Sequence, residues 1–240
     1  MADLETLAAE LGVSSSTVRR DVEGLEQKGI VRRTHGGVIW IGDGKSSGGV
    51  RPYAFDQRMG YRNDAKIAIA KAARSLVSPG QTVLVDGGTT TFYLAQELLG
   101  QPFQLVTNSL PIANLFLNDE HVELILTGGL MYPRYGVLLG PTAEHTLSTI
   151  HTKTLFLSVA GVHNAALYNQ NLLLVQSERR MMEQAQEVVL LADSSKFGQQ
   201  ALSRLGELAE VDTVVTDSGL SDEHRAEIEA AGCRLVVAAV

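Results

Sequence analysis

The stretch VDGGTTT, residues 85–91, joins an apolar run to a loop suited to holding an anion. Gly87 and Gly88 have no side chains, so the backbone there can approach a ligand closely. A helix beginning after them would aim its unpaired first-turn N–H groups at that ligand. Thr89, Thr90 and Thr91 add hydroxyl donors. Phosphate fits this chemistry, and so does a carboxylate. No Lys-Ser or Lys-Thr pair follows the glycines and the spacing is not GxGxxG, so neither a Walker A nucleotide site nor a dinucleotide site is supported. Asp86 would repel a phosphate at close range, which leaves it to accept hydrogen bonds from sugar hydroxyls or to orient the loop. Lys196, beyond another apolar run, is the candidate counter-charge; the plainer alternative is a solvated loop lysine.

A different chemistry is written near the N-terminus, in SSSTVRRDVEGLEQKGIVRR (14–33). Arg19, Arg20, Lys28, Arg32 and Arg33, with His35, outnumber the local acids Asp21, Glu23 and Glu26. The whole chain carries a net charge of −7, but docking on phosphate depends on the local field. In a helix-turn-helix the second helix enters the major groove and its N-terminal residues meet base edges. Here those residues are Ser15, Ser16, Thr17, Arg19 and Arg20. Arg32, Arg33 and His35 would contact flanking backbone or minor groove. The plainer alternative is an amphipathic helix pair whose arginines only solvate its surface. The tight Gly12 turn, the capping Ser14 and the basic wing together favour DNA.

The elements that must position these groups follow from periodicity. Leu4, Leu7, Ala8 and Leu11 recur at helical spacing and mark one buried face, which Gly12 ends. Val18, Val22 and Leu25 give the next helix its buried stripe, and Gly29 stops it. IVRRTHGGVIWI reads as a hairpin around a Gly36-Gly37 turn. IGDGKSSGGV (41–50) is a glycine- and serine-rich linker. This divides the chain into a winged helix-turn-helix at 1–41, a linker at 42–50 and a larger domain at 51–240. From Asp64 onward the larger domain opens with an amphipathic helix. Seven short β-rich runs follow, TVLVD (82–86), FQLVT (103–107), VELIL (122–126), TLFLSVA (154–160), EVVLLAD (187–193), DTVVTD (212–217) and CRLVVAAV (233–240). Segments of helical spacing, such as TFYLAQELL, LPIANLFL and SDEHRAEIEAAG, separate most of them. Such alternation predicts an α/β domain, Rossmann-like, with a mainly parallel sheet covered on both faces. The runs end in Asp86-Gly87-Gly88-Thr89, Thr107-Asn108, Thr127-Gly128-Gly129, Ala160-Gly161 and Asp193-Ser194-Ser195-Lys196. Ligands of open α/β sheets sit at the carboxyl ends of strands, so five such ends together predict a polar pocket.

Composition narrows the remaining classes. Of the 240 residues 45% are apolar and only 5% aromatic, which suits helices packed on a sheet better than a β-sandwich. No run approaches the roughly 18 apolar residues of a membrane span, and MADLETLAAE has no signal-peptide pattern. Cys233 is the single cysteine, which excludes an intramolecular disulfide and a multi-cysteine metal site and points to a cytoplasmic protein. His121, His145, His151 and His224 lack metal-ligand spacing, and no cofactor is indicated.

In these motifs the chain resembles the DeoR family of bacterial transcriptional repressors. The resemblance runs from AAELGVSSSTVRRDVEGLEQKGIVRRTHGGV through AFDQRM, DAKIAIAKAA, DGGTTT, TNS, LTGG and LGPTAE to LLADSSKFG. It implies a C-terminal domain similar to the ribose-5-phosphate isomerase and CoA-transferase fold that senses a phosphorylated sugar. Carried across, the phosphate loop is Asp86, Gly87, Gly88, Thr89 and Thr90, with Asn108, Gly129, Gly161 and Lys196 around it. Family members usually carry about one more helix before residue 3, so the resemblance implies an N-terminal domain lacking its first helix. Many relatives also carry an acidic pattern where Gly161 is here followed by Val162-His163-Asn164, which speaks against inherited isomerase chemistry. The expectation is therefore a regulator, not an enzyme. It would be a repressor of a carbohydrate catabolic operon, acting on double-stranded operator DNA as a homodimer or homotetramer. The alternative is a sugar-phosphate isomerase or CoA-transferase-like enzyme, for which Asp86, Asp193 or Glu178 would have to be the catalytic carboxylate.

Overall fold

The computed structural model describes residues 7–8, 11–27, 31–34, 37–40 and 55–240. The chain divides into two compact units, Met1–Pro52 and Tyr53–Val240.

In the first unit, Gly12 takes the left-handed conformation (φ 65°) and Ser14 precedes a helix over Ser15–Gln27. The Ser14 hydroxyl accepts the Thr17 N–H at 3.2 Å, the N-cap bond that this serine was placed to make. Val18 and Val22 are buried with Ala8 and Val38, and Leu7 and Leu25 pack against them. Leu11, expected on the buried face, is instead 65% exposed. It is the last helical residue before the Gly12 turn, and a core of four small side chains does not extend to it. The wing forms as strands β1 (Val31–Thr34) and β2 (Gly37–Trp40), antiparallel, with Thr34 paired to Gly37. Gly37 thus opens the second strand instead of sitting in the turn. The linker at 42–50 lies outside the described residues.

The second unit is built on seven parallel strands: β3 (Thr82–Val85), β4 (Phe103–Thr107), β5 (Val122–Leu126), β8 (Thr152–Leu157), β11 (Ala185–Leu191), β13 (Thr213–Asp217) and β14 (Arg234–Ala238). Their order across the sheet is β14-β13-β11-β8-β3-β4-β5. All seven apolar runs picked out above supply these strands. The central strands are apolar because both of their faces are covered. On one face Leu84, Leu155, Leu157, Leu190 and Val214 pack with Met181 and Ile228 of flanking helices. On the other, Val83, Val85, Phe156, Leu191 and Val215 pack with Ile69 and Leu94. The chain grows outward from β3 through β4 to β5, then returns to lay β8 on the opposite side of β3. The strand order therefore reverses between β3 and β8, and the crevice at their carboxyl ends is the topological switch point.

Two small antiparallel additions have no counterpart in the sequence reading. Strands β6 (Leu130–Tyr132) and β7 (Val137–Leu139) form a hairpin, and β9 (Gly161–His163), β10 (Ala166–Asn169) and β12 (Ser203–Glu207) form a three-stranded sheet. A helix over Pro141–Ser148 also went unread. Among the described residues, no helix is long and apolar enough to cross a membrane. Cys233 is buried, its thiol donating to the Leu208 carbonyl at 3.2 Å.

Candidate functional site

The glycine loop lies at the switch point. After β3 the chain passes Asp86 and Gly87 to Gly88, which precedes the helix Thr89–Glu97. Thr91 closes this loop: its hydroxyl accepts the Gly88 N–H at 2.9 Å and donates to the Asp86 carbonyl at 2.6 Å. That hydroxyl is thus committed to the loop and is not a free donor, contrary to the simplest reading of three threonines. Thr89 and Thr90 are buried on the first turn. The glycines are required by close approach. A Cβ on Gly87 would fall 2.1 Å from Val137 Cγ1 and 3.4 Å from Asn108 Oδ1, and one on Gly88 would fall 1.8 Å from Ser158 Oγ.

Around the loop stand polar groups that the fold buries without satisfying. Asn108, at the end of β4, is 1% exposed, and neither its Oδ1 nor its Nδ2 has a hydrogen-bond partner. Its position is set by its carbonyl, which accepts the Leu138 N–H at 2.8 Å, and by Thr107, whose hydroxyl donates to the Val85 carbonyl at 2.7 Å. Glu178, on the helix Leu172–Glu183, is 2% exposed; Oε1 accepts from Asn169 Nδ2 at 2.6 Å and Oε2 has no partner. Burial pushes the Asp86 carboxyl up to about 6, against hydrogen bonds from Gly87 and Ser158 and the charge of Arg58. Burial, with repulsion from Asp86, pushes Glu178 well above the ordinary carboxylate range. Buried polar atoms normally find partners, so a concentration of unpaired ones at a strand-end crevice indicates groups meant for something else.

The structure adds two cations that the sequence reading did not nominate. Lys66, on the helix Asn63–Arg74, is 3% exposed, and its Nζ donates to the Arg58 carbonyl. Burial lowers its pKa to about 8, with Asp193 opposing the shift and Lys196 and Arg58 adding to it. Arg58, on the short helix Phe55–Met59, has its guanidinium 4.4 Å from the Tyr135 ring centroid, with Nε and Nη2 buried and unpaired. One signal was available. Lys66 falls on the same stripe as the buried Ile69, Ala70 and Ala73, where an uncommitted lysine is rare.

The loop after β11 completes this end of the sheet. Lys196 closes a 3-10 turn over Ser194–Lys196 and is half-buried. Asp193 is wholly buried, with Oδ1 bonded to the Ser195 N–H at 3.1 Å and Oδ2 unpaired. Arg62 bridges the carboxylates of Asp193 (3.3 Å) and Asp217 (3.1 Å). Burial acts to raise Asp217, but the N–H and hydroxyl of Ser194, the Gly219 N–H and Arg62 together hold it below the ordinary value. Gly129 and Gly161 have structural reasons of their own, since a Cβ would meet the Leu139 carbonyl oxygen at 2.6 Å and the Gln199 carbonyl oxygen at 2.1 Å. Two shallow clefts, of about 300 Å³ beside Ala165, Glu227 and Ala231 and about 260 Å³ beside Arg179, Arg204 and Glu210, lie apart from this cluster. Neither is lined by a residue with a buried unpaired polar atom.

In the first unit Arg19 and Arg20 are exposed, beside the inward Val18 and Val22. Ser15 is exposed too, while Ser16 and Thr17 bond the Ser14 hydroxyl at 2.8 Å. The backbones of Arg32 and Arg33 lie in β1; their side chains, and the whole of His35, lie outside the described residues.

Comparison with known proteins fits both halves. The DeoR C terminal sensor domain matches residues 62–218, and the DeoR-like helix-turn-helix domain matches residues 1–43. The HTH-type transcriptional regulator UlaR of Shigella dysenteriae serotype 1 is 31% identical over 234 residues, covering 97% of this chain and 91% of its own length. UlaR of Shigella sonnei is 30% identical over the same span. Among solved structures, ribose 5-phosphate isomerase A of Methanocaldococcus jannaschii matches with a TM-score of 0.42 and 19% identity, over 56% of this chain and 54% of that one. The delta subunit of eIF2B from Chaetomium thermophilum matches with a TM-score of 0.46 and 14% identity, over 67% and 58%. The chain thus spans a little over half the length of these two solved chains.

Proposed function

Because the chain belongs to the DeoR family and is a DNA-binding transcriptional regulator of a sugar operon, we propose that it is a repressor whose effector is a phosphorylated sugar bound at the β3–β8 switch point. The proposed effector contacts are Asp86, Gly87, Gly88, Thr89, Thr90, Asn108, Gly129, Gly161 and Lys196. The observation that carries this reading is Asn108, a buried amide with both polar atoms unpaired beside Gly87. A ligand hydroxyl could both donate to its Oδ1 and accept from its Nδ2. First-turn N–H groups of the helix Thr89–Glu97 suit the phosphate, and the buried carboxyls of Asp86 and Glu178 suit sugar hydroxyls. On the DNA side, Ser15, Ser16, Thr17, Arg19 and Arg20 meet the major groove, and Arg32, Arg33 and His35 meet flanking backbone. The protein acts in the cytoplasm as a homodimer or homotetramer, and effector binding weakens operator binding by changing how the paired modules meet two half-sites.

The experiment is a thermal-shift panel of sugar phosphates, each beside its unphosphorylated parent, followed by operator titrations with any compound that stabilises. A ligand at ~100 times its Kd adds about 2.7 kcal/mol. Stabilisation by a phosphorylated compound and not its parent, with weaker operator binding, is expected. Silence across the panel would remove the sensor reading.

A further inference from the structure

Arg58 is held in place by its backbone and by the rings beside it. Its carbonyl accepts from the buried Lys66, and the Phe55 N–H at the start of its helix donates to the Arg134 carbonyl at 3.1 Å. The Phe55 ring meets Phe92 edge-on at 5.6 Å, and the Tyr93 hydroxyl reaches the Met59 carbonyl at 3.5 Å. Phe92 and Tyr93 belong to the helix that opens from the glycine loop, so these contacts tie the two helices together. The guanidinium lies over Tyr135, and burial lowers its pKa while Tyr135 and Asp86 act to raise it. Two buried N–H donors of a cation are nonetheless left without an acceptor. Leaving buried donors unpaired is costly, and a fork of N–H donors matches the paired oxygens of a phosphate or carboxylate.

We propose that Arg58 reads the anionic group of the effector through Nε and Nη2, and that this pairing ties the segment 55–59 to the glycine loop. The inference rests on the sensor reading above and adds to it the anion's partner and a route outward. Phe55 is three residues beyond Pro52, where the first unit ends, so whatever fixes the helix Phe55–Met59 acts on the chain at its exit from that unit. Lys66 is a positioning residue here, since its Nζ is spent on the Arg58 carbonyl. The effector class that follows is a polyhydroxy compound with one terminal phosphate. Its anion meets Arg58 and the loop, and its hydroxyls meet Asn108 and Glu178.

The test uses the full-length protein with inorganic phosphate as the probe, in a buffer free of other oxyanions. Binding is measured by titration, and hydrogen exchange is followed by mass spectrometry. Phosphate is expected to bind the wild type and to slow exchange at residues 55–59 as well as at 86–92. Arg58→Ala should raise the phosphate Kd at least about 30-fold and abolish the slowing at 55–59. Arg58→Gln, which keeps the stem over Tyr135, should do the same, with protection of β3, β8 and β11 amides showing that each variant is folded. Phosphate binding by both variants at wild-type strength would overturn the inference and leave the glycine-loop reading standing. Slowing confined to 86–92 in the wild type would overturn the route outward. No phosphate binding by the wild type would overturn the sensor reading and this inference together.

Discussion

The Asp86→Asn variant should gain stability at neutral pH, by an amount the structure supplies. The folded-state pKa of about 6 stands above the ordinary 3.8, a gap worth about 3 kcal/mol at 1.36 kcal/mol per unit of pH. The sign follows from proton counting. Between about pH 4 and pH 6 the unfolded chain has released this proton and the folded chain still holds it, so stability falls as pH rises and is lowest above the folded pKa. An amide carries no such charge, but it is a poorer acceptor. The carboxylate accepts from the Gly87 N–H, the Ser158 N–H and the Ser158 hydroxyl. In the amide one oxygen becomes a donor. The neutral acid that wild type holds near pH 4 shares this limit, since one of its oxygens is also a donor, and the carboxylate's better hydrogen bonds are already contained in the value of about 6. The net expectation is a variant about as stable as wild type near pH 4 and about 3 kcal/mol more stable near pH 7.5. Removing the Asp86 charge also relieves Glu178, raised by burial first and by Asp86 second, so the variant's curve flattens on both counts. Urea unfolding of the two proteins across this range, in buffers without phosphate, gives the two curves. Curves that run parallel across this range would refute the burial argument for Asp86.

Three further perturbations separate other parts of the account. Gly88→Ala places a methyl 1.8 Å from Ser158 Oγ and should abolish stabilisation by sugar phosphates; adding Ser158→Gly should restore part of it, as read by thermal shift. Arg62→Ala removes the bridge between Asp193 and Asp217 and should cost about 1–2 kcal/mol in urea unfolding, because Arg62 is one-third exposed and both carboxylates keep other donors. On operator DNA, Arg19→Ala and Arg20→Ala should behave differently according to what each touches. Loss of a base contact costs about 1–3 kcal/mol and relaxes specificity at one position, whereas loss of a phosphate contact lowers the salt slope of log K by about 0.9.

The main sheet was legible because its central strands are buried on both faces, which forces uninterrupted apolar runs such as VLV (83–85) and VVLL (188–191). Strands β9, β10 and β12 are three to five residues long and read GVH, ALYN and SRLGE, with no alternation to betray them. The helix PTAEHTLS buries only Ala143 and Leu147, too few positions to show a period. The same limit applies at the site. Asp86 to Thr90 announce a loop through residue types whose chemistry is local. Arg58 and Lys66 precede that loop by 28 and 20 positions; packing of the helix Asn63–Arg74 against the sheet brings Lys66 to it, and the contacts of Phe55 and Met59 with Phe92 and Tyr93 bring Arg58. Ser158 reads as one more serine until β8 is laid beside β3.

That reversal of strand order also sets a timetable. The switch point draws one wall from β3 and the other from β8, with Glu178, Asp193 and Lys196 later still, whereas the DNA-binding unit ends at Pro52. On the ribosome the helix that grips the operator is therefore finished well before the crevice that would release it. At about 5–20 residues per second, the stretch from Pro52 to Lys196 takes roughly 7–30 s to make. On the repressor reading proposed above, a newly made chain passes through an interval in which it is deaf to its signal, and premature repression is avoided only if one such unit alone holds DNA weakly. On that reading the proposed pairing of completed chains decides when the repressor becomes competent, and by that time every chain in the pair can hear.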